Sequence, residues 1–259
     1  MSSADRIREA FTSKAFIGFV TGGDPTLEDT RRYVRVLVDA GASLVEIGVP
    51  FSDPIAEGPT IQAASARALS SGTTLEDLLT LIQTLRHDGI TVPLALMTYL
   101  NPVHHYGYEA FFTKAAKMGV DAVIIPDLPF EEHGELCQIT REAGVCLISM
   151  IAPTSADRVR RIAQDATGFI YLVSSMGVTG VRTEINTDIS SIVAEIRRVS
   201  DVPVAVGFGI STPDQVAAMS AQADGVIVGS AIVNLISAHG SHADEVLKEY
   251  VTQMVNALS

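Results

Sequence analysis

Short apolar runs recur along the chain at residues 16–20, 44–48, 93–98, 122–126, 146–151, 169–173, 204–207 and 225–228, with amphipathic stretches between them. Runs such as Ala122-Val123-Ile124-Ile125 are apolar at every position, as expected of strands covered on both faces in a parallel sheet. The intervening stretches carry helix punctuation. Thr212-Pro213-Asp214-Gln215 offers an N-cap, a proline in the first turn and a reciprocal cap at the third position. Thr73-Thr74-Leu75-Glu76 predicts another capping box, and Ala40-Gly41 and Ala143-Gly144 look like C-terminal stops. Residues 1–12 predict a charged amphipathic helix with Ile7, Ala10 and Phe11 on one side, unlike a signal peptide. The stretch between the second and third runs is the longest and predicts an extra helix at 75–86, besides one at 61–71.

Eight strand–helix alternations predict either a closed barrel or an open doubly wound sheet. The eighth run favours closure, as does the lack of a complete G-x-G-x-x-G. Gly207-Phe208-Gly209 supplies two glycines, but Thr212 stands where the third belongs. The expected fold is therefore a (β/α)8 TIM barrel with an N-terminal helix and additional helices in the loops. With 259 residues and no linker or low-complexity tract, residues 1–259 are expected to form a single domain.

Composition narrows the function. Hydrophobic residues make up 47% and charged residues 19%, enough for a large core. The net charge of -12 disfavours nucleic acid and anionic lipid as partners. An anionic ligand must then be held locally, by backbone amides or helix ends. No apolar run approaches a membrane span, and a cytoplasmic location is expected. Cys137 and Cys146 offer neither a disulfide framework nor zinc spacing and read as buried small hydrophobes.

Working residues of such barrels project from the carboxyl ends of the strands, and those ends are polar here: Thr21 to Asp24, Glu46, Tyr99 and Asn101, Asp127, and Ser174 through Thr183. In Leu44-Val45-Glu46-Ile47-Gly48, alternation puts Glu46 on the face opposite Val45 and Ile47, which is the barrel interior if those two meet the helices. Buried alone, such a carboxylate is held protonated to higher pH, as a general acid–base requires. Otherwise it is a structural glutamate satisfied by an arginine or a backbone amide. The Pro- and acid-rich stretch 50–59 reads as an ordered loop over the mouth, in which Asp53 and Glu57 are functional, solvated, or capping the following helix. Gly207-Phe208-Gly209-Ile210 and Gly229-Ser230-Ala231 follow the seventh and eighth strands and open helices, which suits phosphate. Gly177-Val178-Thr179-Gly180 can add another amide and act as a lid. The histidines have no metal-ligand spacing, no strand carries a lysine for Schiff-base chemistry, and Met97, Met150, Met176 and Met219 read as core.

The segment Val45-Glu46-Ile47-Gly48-Val49-Pro50-Phe51-Ser52-Asp53-Pro54-Ile55-Ala56-Glu57-Gly58 closely resembles the tryptophan synthase alpha chain. So do Gly22-Gly23-Asp24-Pro25, Tyr99-Leu100-Asn101-Pro102, Pro126-Asp127-Leu128-Pro129, Gly177-Val178-Thr179-Gly180, Gly207-Phe208-Gly209-Ile210 and Gly229-Ser230-Ala231-Ile232, in family order. The resemblance implies a lyase that cleaves indole-3-glycerol phosphate by a retro-aldol reaction to indole and glyceraldehyde 3-phosphate. By position it implies that Glu46 is the acid–base and that Glu57 stabilises the protonated indole ring through its N–H. Gly180, Gly209, Gly229 and Ser230 match phosphate-binding positions. Phe19, Tyr99, Ile151, Tyr171 and Phe208 match indole-pocket positions. Thr179 matches the lid threonine, and Asp127 a residue that signals to the partner. No cofactor is implied in this chain. Pyridoxal phosphate is expected in the beta chain of an αββα heterotetramer, and Pro54-Ile55, Pro102-Val103 and Pro129-Phe130 could bury against that partner.

Two positions depart from the family pattern. Its second carboxylate is usually aspartate, so Glu57 is one methylene longer, and Ser175 stands where some members carry arginine. Three other readings stay open: a regulatory subunit that binds a phosphorylated ligand with little activity of its own, a stand-alone lyase releasing indole, and an isomerase of the same pathway.

Overall fold

The computed structural model describes residues 1–173, 189–207 and 209–259. Among them, eight parallel strands close into a barrel in chain order: β1 (Ala15–Thr21), β2 (Leu44–Gly48), β3 (Leu94–Met97), β4 (Ala122–Ile124), β5 (Cys146–Ile151), β6 (Ile170–Val173), β7 (Val204–Gly207) and β8 (Gly225–Val228). β8 returns to β1, with Ile17 in register with Ile227, so no strand edge is left open. Twelve helices accompany the described strands: α1 (Ser3–Ala10), α2 (Leu27–Asp39), α3 (Pro59–Ser70), α4 (Leu75–His87), α5 (Leu100–Tyr106), α6 (Tyr108–Met118), α7 (Gly134–Ala143), α8 (Ala156–Asp165), α9 (Ile189–Arg197), α10 (Pro213–Ser220), α11 (Ser230–His239) and α12 (Asp244–Asn256). None of the described helices is long and apolar enough to cross a membrane.

Two apolar layers follow from strand alternation. Val45, Ile47, Leu94, Leu96, Val123, Leu172 and Val226 pack outward against helix residues such as Val34, Leu37 and Leu79. Ile17, Leu44, Ala95, Ile124, Ile148, Tyr171 and Ile227 fill the interior. Ile7 of α1 joins that inner group with Phe11 beside it, so the amphipathic N-terminal helix stops the floor of the barrel.

The capping box of α10 forms as its sequence predicts, with Thr212 accepting from the Gln215 amide. In α4 the cap is Thr74 with Asp77, one residue later than the motif suggested. Thr73 is taken up elsewhere: it is buried, and its side chain fills the space against Gly23, where a Cβ would lie 2.2 Å from its Oγ1. Thr74→Ala should therefore cost about 1 kcal/mol in chemical denaturation, the usual value of an N-cap, whereas the same loss would not follow if Thr73 were the cap. At the polar end of the third strand Tyr99 is the N-cap of the seven-residue α5, which also holds Asn101. Cys137 is only half-buried while Cys146 is buried, and desolvation raises both thiols, Cys146 to about 11. Neither is primed as a nucleophile.

Candidate active site

β2 carries Glu46 into the interior, in register with Phe19 of β1 and Ala95 of β3. It is 1% exposed, and its Oε1 has no hydrogen-bond partner among the described residues. No described arginine or amide satisfies that oxygen, and desolvation pushes the carboxyl up to about 8. One layer nearer the mouth, β2 and β7 present glycines inward because aromatic rings from neighbouring strands occupy the space. A Cβ on Gly48 would lie 2.5 Å from Phe19 Cζ, and one on Gly207 2.5 Å from the Tyr171 hydroxyl. Phe19 and Tyr171 thus fold over the floor on which Glu46 stands.

Glu57 reaches the same place from the loop before α3. Gly58, not Glu57, is the N-cap of that helix, and it makes no side-chain cap bond. Glu57 is 8% exposed, and its Oε2 is buried without a hydrogen-bond partner among the described residues. Desolvation pushes it up to about 7. Asp53, on the same loop, is exposed and bonded to Ser52.

Glu46 and Glu57 line one narrow cavity of about 50 Å³ together with Phe19, Tyr171, Gly209, Gly229 and Ser230. Gly209 has φ +86, a conformation that favours glycine. Gly229 and Ser230 open α11, whose first turn has no side-chain cap bond among the described residues, a helix start of the kind that suits an anion. The structure thus joins two uncompensated carboxyl groups, two aromatic walls and a helix N-terminus in one space. Gly180, Thr179, Phe208 and Ser175 lie outside the described residues, as does Met176.

Two expected pocket residues take other places. Ile151 belongs to the outer layer between strand and helix, because β5 alternates Ile148 and Met150 inward and Leu147 and Ile151 outward. Tyr99 stands beside the cavity and directs its hydroxyl to the Ala56 amide, 3.0 Å away. Asp127 accepts from the Leu100 amide at 2.8 Å, at the start of α5. Of the apolar mouth residues, Ile55 is 72% exposed, but Val103 is fully buried, so Pro102-Val103 offers less surface than the sequence suggested.

Sequence reading passed over Met97 and Met150 as core, whereas both are half-buried and line the cavity with Ile61 and Ile210. Thr21, named only as a polar strand end, lies on the inward face of β1 beside Gly48, and its buried hydroxyl has no partner among the described residues. Strand parity marks all three strand residues as inward. A larger cavity of about 820 Å³ runs along β5 between α7 and α8 and meets the first at Ala56, Pro126 and Met150. Both of these carboxyl groups, Glu46 and Glu57, line the smaller one. Among the described residues no cluster of His, Cys, Asp and Glu could hold a metal ion.

Comparison with known proteins agrees in both sequence and shape. The sequence profile of the family described as tryptophan synthase alpha chain matches residues 7–258. The tryptophan synthase alpha chain of Lactiplantibacillus plantarum is 50% identical over 246 residues, covering 95% of this chain and 92% of that one. The crystal structure of the Legionella pneumophila alpha chain superposes with a TM-score of 0.87 at 34% identity, covering 100% of this chain and 97% of that one. A Pyrococcus furiosus chain, solved in a study of mutual activation of the tryptophan synthase α2β2 complex, gives 0.83 at 35% identity, covering 93% of this chain and 97% of that one. With a match that spans the barrel from its floor helix to α12, the chain belongs to the tryptophan synthase alpha chain family.

Proposed function

We propose that the chain acts as one domain to cleave indole-3-glycerol phosphate into indole and glyceraldehyde 3-phosphate, and passes the indole to a beta chain in an αββα assembly. The observation that carries this reading is the pair of buried carboxyl groups, each with an oxygen left unpartnered among the described residues, that share a cavity with Gly209, Gly229 and Ser230.

The chemistry follows from proton bookkeeping. Breaking the bond between indole C3 and the glycerol chain requires a proton on C3 and removal of one from the adjacent hydroxyl. Glu46, held up to about 8, is mostly protonated at neutral pH and donates to C3. The resulting carboxylate then accepts the hydroxyl proton as the bond breaks and the aldehyde forms. Glu46 returns to its starting state, and the net event is transfer of one proton from oxygen to carbon. Protonation at C3 leaves positive charge on the indole nitrogen. Glu57, near half-ionised at pH 7, supplies the counter-charge to that N–H. Gly209, Gly229 and Ser230, with Gly180, bind the phosphate, while Phe19 and Tyr171, with Phe208, line the ring. Thr179 closes the lid, and Asp127 communicates with the partner.

These steps run through this chain's own side chains and amides, and pyridoxal phosphate belongs to the beta chain. A ligand of this size enters only when the cavity widens, and the soft thioethers of Met97 and Met150 are the walls best able to move. The mouth-side apolar surface at Pro54-Ile55 and Pro129-Phe130 suits burial against the partner. As a step of amino-acid biosynthesis, the reaction belongs in the cytoplasm.

Incubation with indole-3-glycerol phosphate, with and without a beta chain, tests the reading by indole release. Slow release alone and strong activation by the partner are expected. Binding without release in either case would make the chain a regulatory subunit, and rapid release alone with no effect of the partner would make it a stand-alone lyase.

A further inference from the structure

The 49–58 segment has no regular secondary structure, yet it delivers Glu57 to the cavity. Its start is fixed by the Val49 amide donating to the Met97 carbonyl at 2.8 Å. Its end is fixed by Gln62 Nε2 donating to the Glu57 carbonyl at 2.8 Å. Between these points, one side chain from another element holds it twice. The Tyr99 ring stacks on Phe51, with centroids 5.1 Å apart and planes at 29°. The Tyr99 hydroxyl accepts from the amide of Ala56, immediately before Glu57, at 3.0 Å. Tyr99 is itself 3% exposed and forms the N-cap of α5. The next amide, of Leu100, donates to Asp127 Oδ1 at 2.8 Å, and the Thr98 amide donates to the Ile124 carbonyl at 3.0 Å. The phenol is therefore anchored from the β4 side and grips the segment from beneath.

Resting on the lyase reading above, we propose that Tyr99 is a positioning residue for Glu57, clamping the 51–57 segment so that its carboxylate meets the indole N–H, and coupling that segment to Asp127. Its ring pins the early part of the segment, while its oxygen fixes the backbone one residue before the carboxylate. Burial pushes the phenol up to about 12, so it stays neutral and its oxygen remains an acceptor throughout the working range. The other titratable groups around the segment, among the described residues, are Glu46 and Tyr171 in the cavity, Asp127 at the start of α5 and exposed Asp53.

Tyr99→Phe in the complex with the beta chain keeps the stack and removes only the hydroxyl. Turnover should fall about tenfold, as for a reacting group held less firmly, with KM changed less than twofold. Glu57 should become better solvated, so the acid limb of the pH profile should move down by about one pH unit. In a Glu57→Gln background the same substitution should have little further effect, because the group it positions is gone. Full turnover with an unmoved acid limb would overturn the proposal. So would a loss confined to KM, or an equal loss in both backgrounds. A carbon-13 NMR titration of the Glu57 carboxyl in wild type and Tyr99→Phe needs no turnover, so it tests the clamp even if the lyase assignment fails. A lowered pKa in the variant is expected, and an unchanged one would refute the clamp.

Discussion

Glu46→Gln is expected to slow indole release by more than about a hundredfold while making the fold more stable above neutral pH. The first effect follows from removing a group that both gives and takes a proton, since general acid–base catalysis commonly contributes two to four orders of magnitude. Glutamine keeps the volume and polarity but cannot exchange a proton, so substrate binding should survive. The wild-type profile of kcat/KM should show two limbs. Turnover falls below about 7 as Glu57 becomes protonated, and above about 8 as Glu46 loses its proton. Residual activity in the variant should keep only the acid limb.

The stability change has the opposite sign because the side chain is buried and its Oε1 has no partner among the described residues. Its folded pKa, about 8, lies above the ordinary 4.5, so between these values the folded state holds a proton that the unfolded state releases. Stability therefore declines as pH rises from about 4.5 to about 8, and the full penalty is present above that. At about 1.4 kcal/mol per pH unit the penalty amounts to a few kcal/mol, and the glutamine variant does not carry it. Denaturant unfolding at pH 5 and pH 8.5 would show wild type and variant close together at the lower pH and separated at the higher. Near-normal turnover would remove Glu46 from the mechanism, and parallel stability curves would mean that its proton is not held by burial.

Glu46 shows how much of the site could be read from the chain. Five residues of alternating pattern were enough to face it inward, because a strand has a period of two and its neighbours Val45 and Ile47 clearly belong outside. The same parity argument applied to β5 would have placed Ile151 outside and Met150 inside. Strand ends were harder to read. Apolar character runs on through Ile125 and Pro126, but pairing in β4 stops at Ile124, and Pro93, which has no N–H to give a ladder, precedes β3 at Leu94. Glu57 and Tyr99 were less legible. No period governs the 49–58 segment, and the contacts that hold its middle come from Tyr99, 43 positions from Ala56, so a capping role or a solvated one fitted the local sequence equally well. Glycines at the two strand–helix junctions marked a candidate anion site from sequence, although tight barrel turns use glycines there as well. Whether a glycine carries φ > 0, as Gly209 does, was not legible.

The largest expected loss of stability lies at the opposite end of the barrel. Asp121, between α6 and β4, is fully buried, and three separate elements converge on it. Arg6 of α1 donates through Nε at 2.7 Å, Arg86 of α4 pairs with the other carboxylate oxygen, and the Leu94 amide of β3 donates at 2.9 Å. Arg86 also donates to the carbonyls of Gly119, Ile90 and Val92, so it has no freedom to turn toward water. Asp121→Ala would leave that guanidinium uncompensated in a site where its side chain is 19% exposed, and would orphan the Leu94 amide. Breaking a buried pair from one side typically costs about 3–5 kcal/mol, which for a chain of this size lowers Tm by roughly 8–15 °C. Arg6→Ala should cost much less, because Asp121 keeps Arg86 and the amide, and the Arg6 side chain is 24% exposed. A double-mutant cycle between positions 121 and 86 should show strong coupling, since once one partner is gone the other has little left to lose. Indole release at low temperature should be nearly unchanged in Asp121→Ala, as the carboxylate cavity lies at the other end of the strands. Unfolding free energies within about 0.5 kcal/mol of wild type would show that the network contributes little, and the floor helix would then be held chiefly by Ile7 and Phe11.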